Sequence, residues 1–431
     1  MTTSSGATPA ATRAGTATRA DAAALPSLLG AISAERAHAC VAALAGDDFT
    51  GRRVGTAGNA AARSWLAARL AELGAAAQVD EFPVRRVPQV YAVPSARWHS
   101  GDGRGAELVF GRDVAPHLTS ADLPRARYGP VAVAGTGDPS GRWLLVPEGT
   151  NLFDAYRDAG DAAGLLVARA VDADGWQYTT LAGPDPGPLP VLALATSAHR
   201  ALGHAVSAGG AWFTGDAPIR RVDVTGTNLY GRLRAVAAGR ADILLTAHFD
   251  GVGDHPGLRQ PAAADNASGV AVVLEAARVL TTALPAGTGL SVAFLDGEET
   301  GALGSAHHAA RLRAAGATPW VVNVDGAGRL DDAAAVEAGG PAHRLLAVLD
   351  QAGRHTEVPL AAGPVASDNR RYAAAGLATV GIGAGMAGYH SPADTPERVE
   401  PATLAAIARL VTATVRLAAD HLTRRPPVPA A

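Results

Sequence analysis

The stretch ILLTAHFDGV, Ile243–Val252, decides the reading of this chain. Aliphatic residues fill its first half, and it then delivers His248, Phe249, Asp250 and a glycine. A short apolar run bounded by turn residues reads as a buried strand. Residues two apart in a strand share a side, so His248 and Asp250 arrive together at its tip. One imidazole beside one carboxylate decides little until the other tips are known.

Downstream the rhythm is strand, loop, helix. ADILLTAHFD (241–250) is followed by a loop and the helical SGVAVVLEAARVLTTAL (268–284). LSVAFLDG (290–297) precedes GALGSAHHAARLRAAG (301–316), and PWVVNVDG (319–326) precedes a further loop. LATVGIGAG (377–385) leads to a last helix, PATLAAIARLVTATVRLAADHL (401–422). Strands alternating with helices predict a sheet covered on both faces. Ligands of such sheets bind beyond the carboxyl ends of the strands.

Upstream, residues 105–218 carry short β-like runs: GPVAVAG, RWLLVPE, GLLVARAV and LPVLALA. With one helical segment, NLFDAYRDAG, they predict a compact insert with its own small sheet. A helical pattern starts at about Leu28. After a Gly-rich polar loop, a second helix sets Trp65, Leu66, Leu70 and Leu73 on one side and ends at Gly74. Residues 1–25, rich in Ala, Thr, Ser and Arg, read as a disordered tail, and 426–431 as a short second one.

The 431 residues are 48% hydrophobic, enough for one large domain and a smaller one. The formal charge of -3 argues against nucleic acid or an anionic membrane as partner. All 37 basic side chains are arginine, a mark of coding bias rather than function. A single cysteine, Cys40, excludes an internal disulfide and a thiolate metal site. No run of about 18 uncharged apolar residues predicts a membrane span. The first residues lack the apolar core of a secretory signal, so a cytoplasmic location is expected.

Each strand tip then delivers something polar. The first gives His248 and Asp250, and its loop runs on through ADNASG with Asp265 before a helix. The second gives Glu298 and Glu299, the third Asp325, and the fourth leads to Tyr389 and His390 in GYHSPADT. Singly, Asp265 or Ser268 reads as a helix cap and the Glu-Glu pair as a solvated turn. Together they form a nitrogen and oxygen donor set without sulfur, which suits Zn²⁺ or a similar divalent ion. Without a cation, so many carboxylates would repel each other and rise in pKa.

AHFD, ADNASG, GEETGALGS, NVDGAGR, SDN and YHSPADT, in this order, resemble the co-catalytic dizinc aminopeptidase family of clan MH. The resemblance runs from Asp47 to about Ala419, and the insert looks like a protease-associated domain. It implies a three-layer α/β/α fold with a mixed, mostly parallel central sheet. The catalytic domain would be built from residues 26–104 and 219–425 around the insert at 105–218. Two divalent ions, Zn²⁺ for preference, are implied. His248 and Asp325 would hold one, Glu299 and His390 the other, with Asp265 bridging. Glu298 would be the general base, Asp250 would orient His248, and Tyr389 would stabilise the oxyanion. The implied substrate is a peptide or small-molecule amide, attacked by water whose pKa the ion pair lowers.

Two departures stand out. Ala264 precedes Asp265 where relatives often have a second acid, and Asn369 replaces a histidine in SDN, which bears on substrate preference. His255 is expected to be an exposed loop residue, and His307 and His308 partly exposed helix residues. Arg370 and Arg371 are expected on a solvated face or against a substrate carboxylate. The competing activity is a dizinc amidohydrolase or deacylase acting on an N-acyl amino acid or a natural-product amide.

Overall fold

Alternation along the central strands sorts their side chains between two helical layers. A computed structural model describes residues 25–423; the tails expected at 1–25 and 426–431 lie outside this range, except for Leu25. That residue is 5% exposed and belongs to the main core. In chain order, β1 (Gln78–Val90) opens the main sheet. Eight strands of a second sheet follow: β2 (Ala96–Ser100), β3 (Gly105–Glu107), β4 (Val114–Pro116), β5 (Leu123–Val133), β6 (Trp143–Leu145), β7 (Gly164–Arg169), β8 (Val191–Ala195) and β9 (Ala211–Ala217). The chain then returns through β10 (Ile219–Arg234), β11 (Asp242–His248), β12 (Gly289–Leu295), β13 (Trp320–Val324), β14 (Ala334–Gly339), β15 (Leu360–Ala362) and β16 (Thr379–Gly383).

The main sheet has the order β1-β10-β12-β11-β13-β16-β14-β15. Its middle four strands are parallel, and β1, β10 and β14 add antiparallel pairings at the flanks. Ile243, Leu245 and Ala247 of β11 face the helices 34–44, 268–283, 343–356 and 401–423. Leu244 joins Ala293, Leu295 and Val321 on the opposite face, with Ala309 and Tyr372 of the helices there. That is the three-layer mixed sheet expected from sequence. Parallel pairing also puts the carboxyl ends of β12, β11, β13 and β16 on one edge.

The second sheet has the order β3-β2-β9-β5-β6-β7-β8-β4. Its own core includes Trp143, Leu192 and Phe213. It begins upstream of the boundary expected at 105: β2 pairs with β9, and a boundary at 105 would cut the β2–β3 hairpin. The helix expected to run on from Leu28 is also interrupted. Ser33 caps a new helix at Ala34–Leu44 by accepting the Arg36 N–H. By length and composition Pro401–His421 could cross a membrane, but 78% of that window is buried. It packs on the helices 268–283 and 343–356, the place of a core helix.

Candidate metal centre

Five side chains converge beyond the sheet edge. His248, the last residue of β11, points Nε2 at Asp265 Oδ1 and Asp325 Oδ1, both 3.3 Å away. His390 Nε2 lies 3.0 Å from Asp265 Oδ2 and 2.9 Å from Glu299 Oε2. His248, Asp265 and Asp325 therefore form one group and Asp265, Glu299 and His390 another. In each group the donor atoms lie within 4.8 Å of one another. Asp265 belongs to both, with one carboxylate oxygen turned to each histidine.

Local folding explains why Asp265 is free to do this. Asn266 Oδ1, not Asp265, caps the helix 268–283 by accepting the Gly269 N–H at 2.9 Å. It also accepts the Gly326 N–H at 3.1 Å, while its Nδ2 donates to the Val324 carbonyl at 3.0 Å. The Asp265 and Asp325 loops are thereby tied together. Gly269 is required here, because a Cβ would sit 2.3 Å from Asn266 Oδ1 and 2.6 Å from the Val324 carbonyl.

Asp250 meets His248 and the Glu298–Glu299 turn together, and its main-chain carbonyl lies 3.2 Å from His248 Nδ1. Its Oδ1 lies 3.6 Å from His248 Nδ1. The same carboxylate accepts the Glu298 N–H at 3.1 Å and the Glu299 N–H at 3.3 Å. Two other residues that the sequence reading did not single out hold the neighbouring segments. Asp394 accepts the Ala264 N–H at 2.6 Å and the Asp265 N–H at 3.1 Å. Arg52, fully buried, donates to the carbonyls of Phe249, Leu44, Pro261 and Ala262 at 2.6–3.0 Å.

The electrostatics are those of a site short of positive charge. Burial raises Glu298 well above the usual carboxylate range, and Asp325, Asp368 and Glu299 add repulsion that His248 only partly offsets. Burial likewise pushes Glu299 up to about 7 despite His390. Both His248 and His390 are raised well above the ordinary imidazole value: burial opposes their charge, but the surrounding carboxylates outweigh it. Glu299 Oε1 and His390 Nδ1 are buried without a hydrogen-bond partner. Paired carboxylates, imidazoles and an orphaned carboxylate oxygen form a donor set that fits divalent cations, which would relieve the repulsion.

A cleft of about 460 Å³ opens onto this centre and is lined by Glu298, Glu299, His390 and Tyr389. Tyr389 is 43% exposed and stacks on His390 with ring centroids 3.7 Å apart. Arg370 and Arg371 also reach the cleft. Arg370 is neutralised by Glu337 at 2.7 Å, whereas Arg371 Nη2 donates to the Gly301 carbonyl at 2.6 Å. Two histidines, His255 and His308, differ from expectation, while His307 is partly exposed as expected. His255 is half-buried under the second sheet, its ring 6.0 Å from that of Phe110. His307 bonds Asp80 at 3.0 Å, and His308, 6% exposed, bonds the Tyr372 hydroxyl at 2.7 Å.

Residues 228–415 match the profile of Peptidase family M28. Over that stretch, less than half of the chain, the sequence is similar to M28 peptidases. All five converging residues and Glu298 fall inside it. The chain is similar in fold to a zinc aminopeptidase from Bacillus subtilis, with a TM-score of 0.67 and 20% identity, covering 89% of this chain and 94% of that one. An aminopeptidase from Aneurinibacillus sp. strain AM-1 gives 0.66 and 18%, covering 91% and 95%. A peptidase M28 precursor from Shewanella amazonensis SB2B gives 0.70 and 17%, covering 93% and 97%. At these identities the likeness is one of fold. No curated protein sequence matches the chain.

Proposed function

We propose that the chain is a zinc-dependent aminopeptidase whose M28-like domain holds two ions. His248 and Asp325 would bind one, Glu299 and His390 the other, and Asp265 both. The observation that carries this reading is the sharing of Asp265 between two three-residue donor groups. A stretch similar to M28 peptidases with a cation-deficient donor set, and a fold like that of known zinc aminopeptidases, supports it.

Ions bound there would polarise a substrate carbonyl and lower the pKa of water towards neutrality. The chain's own groups do the rest. Glu298 sits at the cleft without belonging to either donor group, and it takes the proton of the attacking water. The same carboxyl then returns that proton to the departing amine. Asp250 holds the Glu298 and Glu299 main chain and orients His248 from behind. Tyr389 lines the cleft next to His390 and donates to the oxygen that gains negative charge.

One observation favours a second reading. Arg371 stands in the cleft wall bonded to a carbonyl and not to a carboxylate. A substrate carboxylate would suit it, as in an N-acyl amino acid. Purified protein assayed on aminoacyl-nitroanilides and on N-blocked amino acids, before and after chelation, separates the two. Chelator-sensitive cleavage of free aminoacyl substrates supports the aminopeptidase. Turnover of N-blocked substrates alone replaces it with the deacylase.

A further inference from the structure

Three links run from one loop of the second sheet, Asp172–Ala182, to the segment carrying His390. The Thr179 N–H donates to the His390 carbonyl at 2.9 Å. Ser391 Oγ lies 2.9 Å from Asp172 Oδ2. Arg398 forks Asp174, with Nη1–Oδ2 at 2.6 Å and Nη2–Oδ1 at 2.7 Å.

The loop is braced from its own side. Asp172 Oδ1 accepts the Asp174 and Trp176 N–H groups at 2.9 and 2.8 Å. The Arg112 guanidinium lies 3.8 Å from the Trp176 ring centroid, and its Nη1 donates to the Asp174 carbonyl at 3.0 Å. Thr179 Oγ1 accepts from Gln260 Nε2 at 2.9 Å, which ties the loop to the chain leading into Asp265. Thr180, Leu181 and Ala182 then line the cleft together with Glu298 and Glu299.

His390 is the residue that needs such support. Its φ of +54° lies in the left-handed region, which a side chain with a Cβ disfavours. Its imidazole must nevertheless be held between Asp265 and Glu299. His248 and Asp325 are placed differently, by the ends of β11 and β13 in the central sheet.

We propose that the Asp172–Ala182 strap is a positioning element of the centre. It fixes His390 through the main chain and so sets the Glu299/His390 half of the proposed metal pair, while the central sheet sets the His248/Asp325 half. This inference rests on the metal-dependent reading above.

The test is calorimetric titration of metal-free protein with Zn²⁺. The unaltered chain should bind two ions. With Ser391→Ala and Asp174→Ala together, one ion should bind at least about tenfold more weakly and the other nearly as before, the size expected for a group that orients a ligand. In a Glu299→Ala chain, whose second half-site is already lost, the same pair should change the remaining affinity by less than about twofold. Exchanging the charges, Asp174→Arg with Arg398→Asp, should restore most of what Asp174→Ala alone removes. Should the double variant fail to fold, Arg398→Lys, which keeps the cation but not the fork, carries the same comparison. Unchanged affinity at both half-sites, or equal weakening of both, overturns the proposal. Fewer than two ions on the unaltered chain overturns the metal-pair reading, and this inference with it.

Discussion

Asp250 and Glu298 are joined through the main chain: an Asp250 carboxylate oxygen accepts the Glu298 N–H at 3.1 Å. The acid proposed to move the proton is thus held by the acid proposed to orient His248. Asp250→Ala should therefore weaken metal binding about 10–100-fold and lower kcat as well. Asp250→Asn, which keeps one acceptor oxygen, should lie between the two. Parallel metal titrations and steady-state kinetics check this, and a variant with normal metal affinity and normal kcat would count against it.

Glu298→Gln keeps the shape of the side chain and removes its basicity. We expect kcat to fall by about 10²–10⁴ while two ions remain bound. Metal analysis of the same preparation used for kinetics separates loss of the base from loss of the centre. Near-normal turnover with both ions in place would remove Glu298 from the proton path.

Arg52 is buried under this acidic cluster and donates four hydrogen bonds to carbonyls. Burial disfavours its charge, and Asp394, Asp250, Asp265 and Glu299 offset part of that cost. Arg52→Met would strand four carbonyls and leave the acids without their counter-charge. The expected loss is about 3–5 kcal/mol in denaturant unfolding, as for a broken buried ion network, with Arg52→Lys recovering some of it. A loss below about 1 kcal/mol would mean that the carbonyls find other donors.

His308 gives a pH prediction with a definite sign. Burial lowers its pKa from the ordinary value of 6.5 to about 4. Between these values the unfolded chain binds a proton that the folded chain refuses. Its contribution to stability is therefore complete above about 6.5 and is lost as the pH falls towards 4, by about 3 kcal/mol at most. Asp296 and Asp394, raised by burial to about 7, act in the opposite sense. The difference between the unaltered chain and His308→Phe isolates the histidine. That difference should shrink as the pH drops from 6.5 to 4, and a constant difference would show that His308 titrates normally.

Two residues of the centre could be placed from position alone, because His248 ends β11 and Asp325 directly follows β13, whereas Asp265, Glu299 and His390 lie in loops beyond the strands, where the motifs of the family resemblance located them. Periodicity locates β11, β12 and β13, and parallel pairing then obliges their tips to meet on one edge. Arg52 was not legible: one arginine of an adjacent pair gives no sign that it is buried beneath the site. Asp394 was quoted within its motif, but an acid in a Ser-Pro-Ala-Asp turn looks like any turn residue. The strap was hidden for a more general reason. Its bond to His390 itself is donated by a main-chain N–H, which every residue but proline possesses. His255 was misjudged because the second sheet covers its loop, a tertiary fact with no local signature.

The long pairing of β1 with β10 brings Val90 and Ile219 side by side, so the chain leaves the main sheet and rejoins it at almost one point. Such a two-stranded stem is a natural grafting joint: a different module could be spliced there without shifting the register of any catalytic strand. The contacts at Thr179, Asp172 and Asp174 set the condition on that freedom. A transplanted module would preserve the architecture yet be expected to leave the enzyme half-assembled, unless it also carried its own prop for the loop at His390.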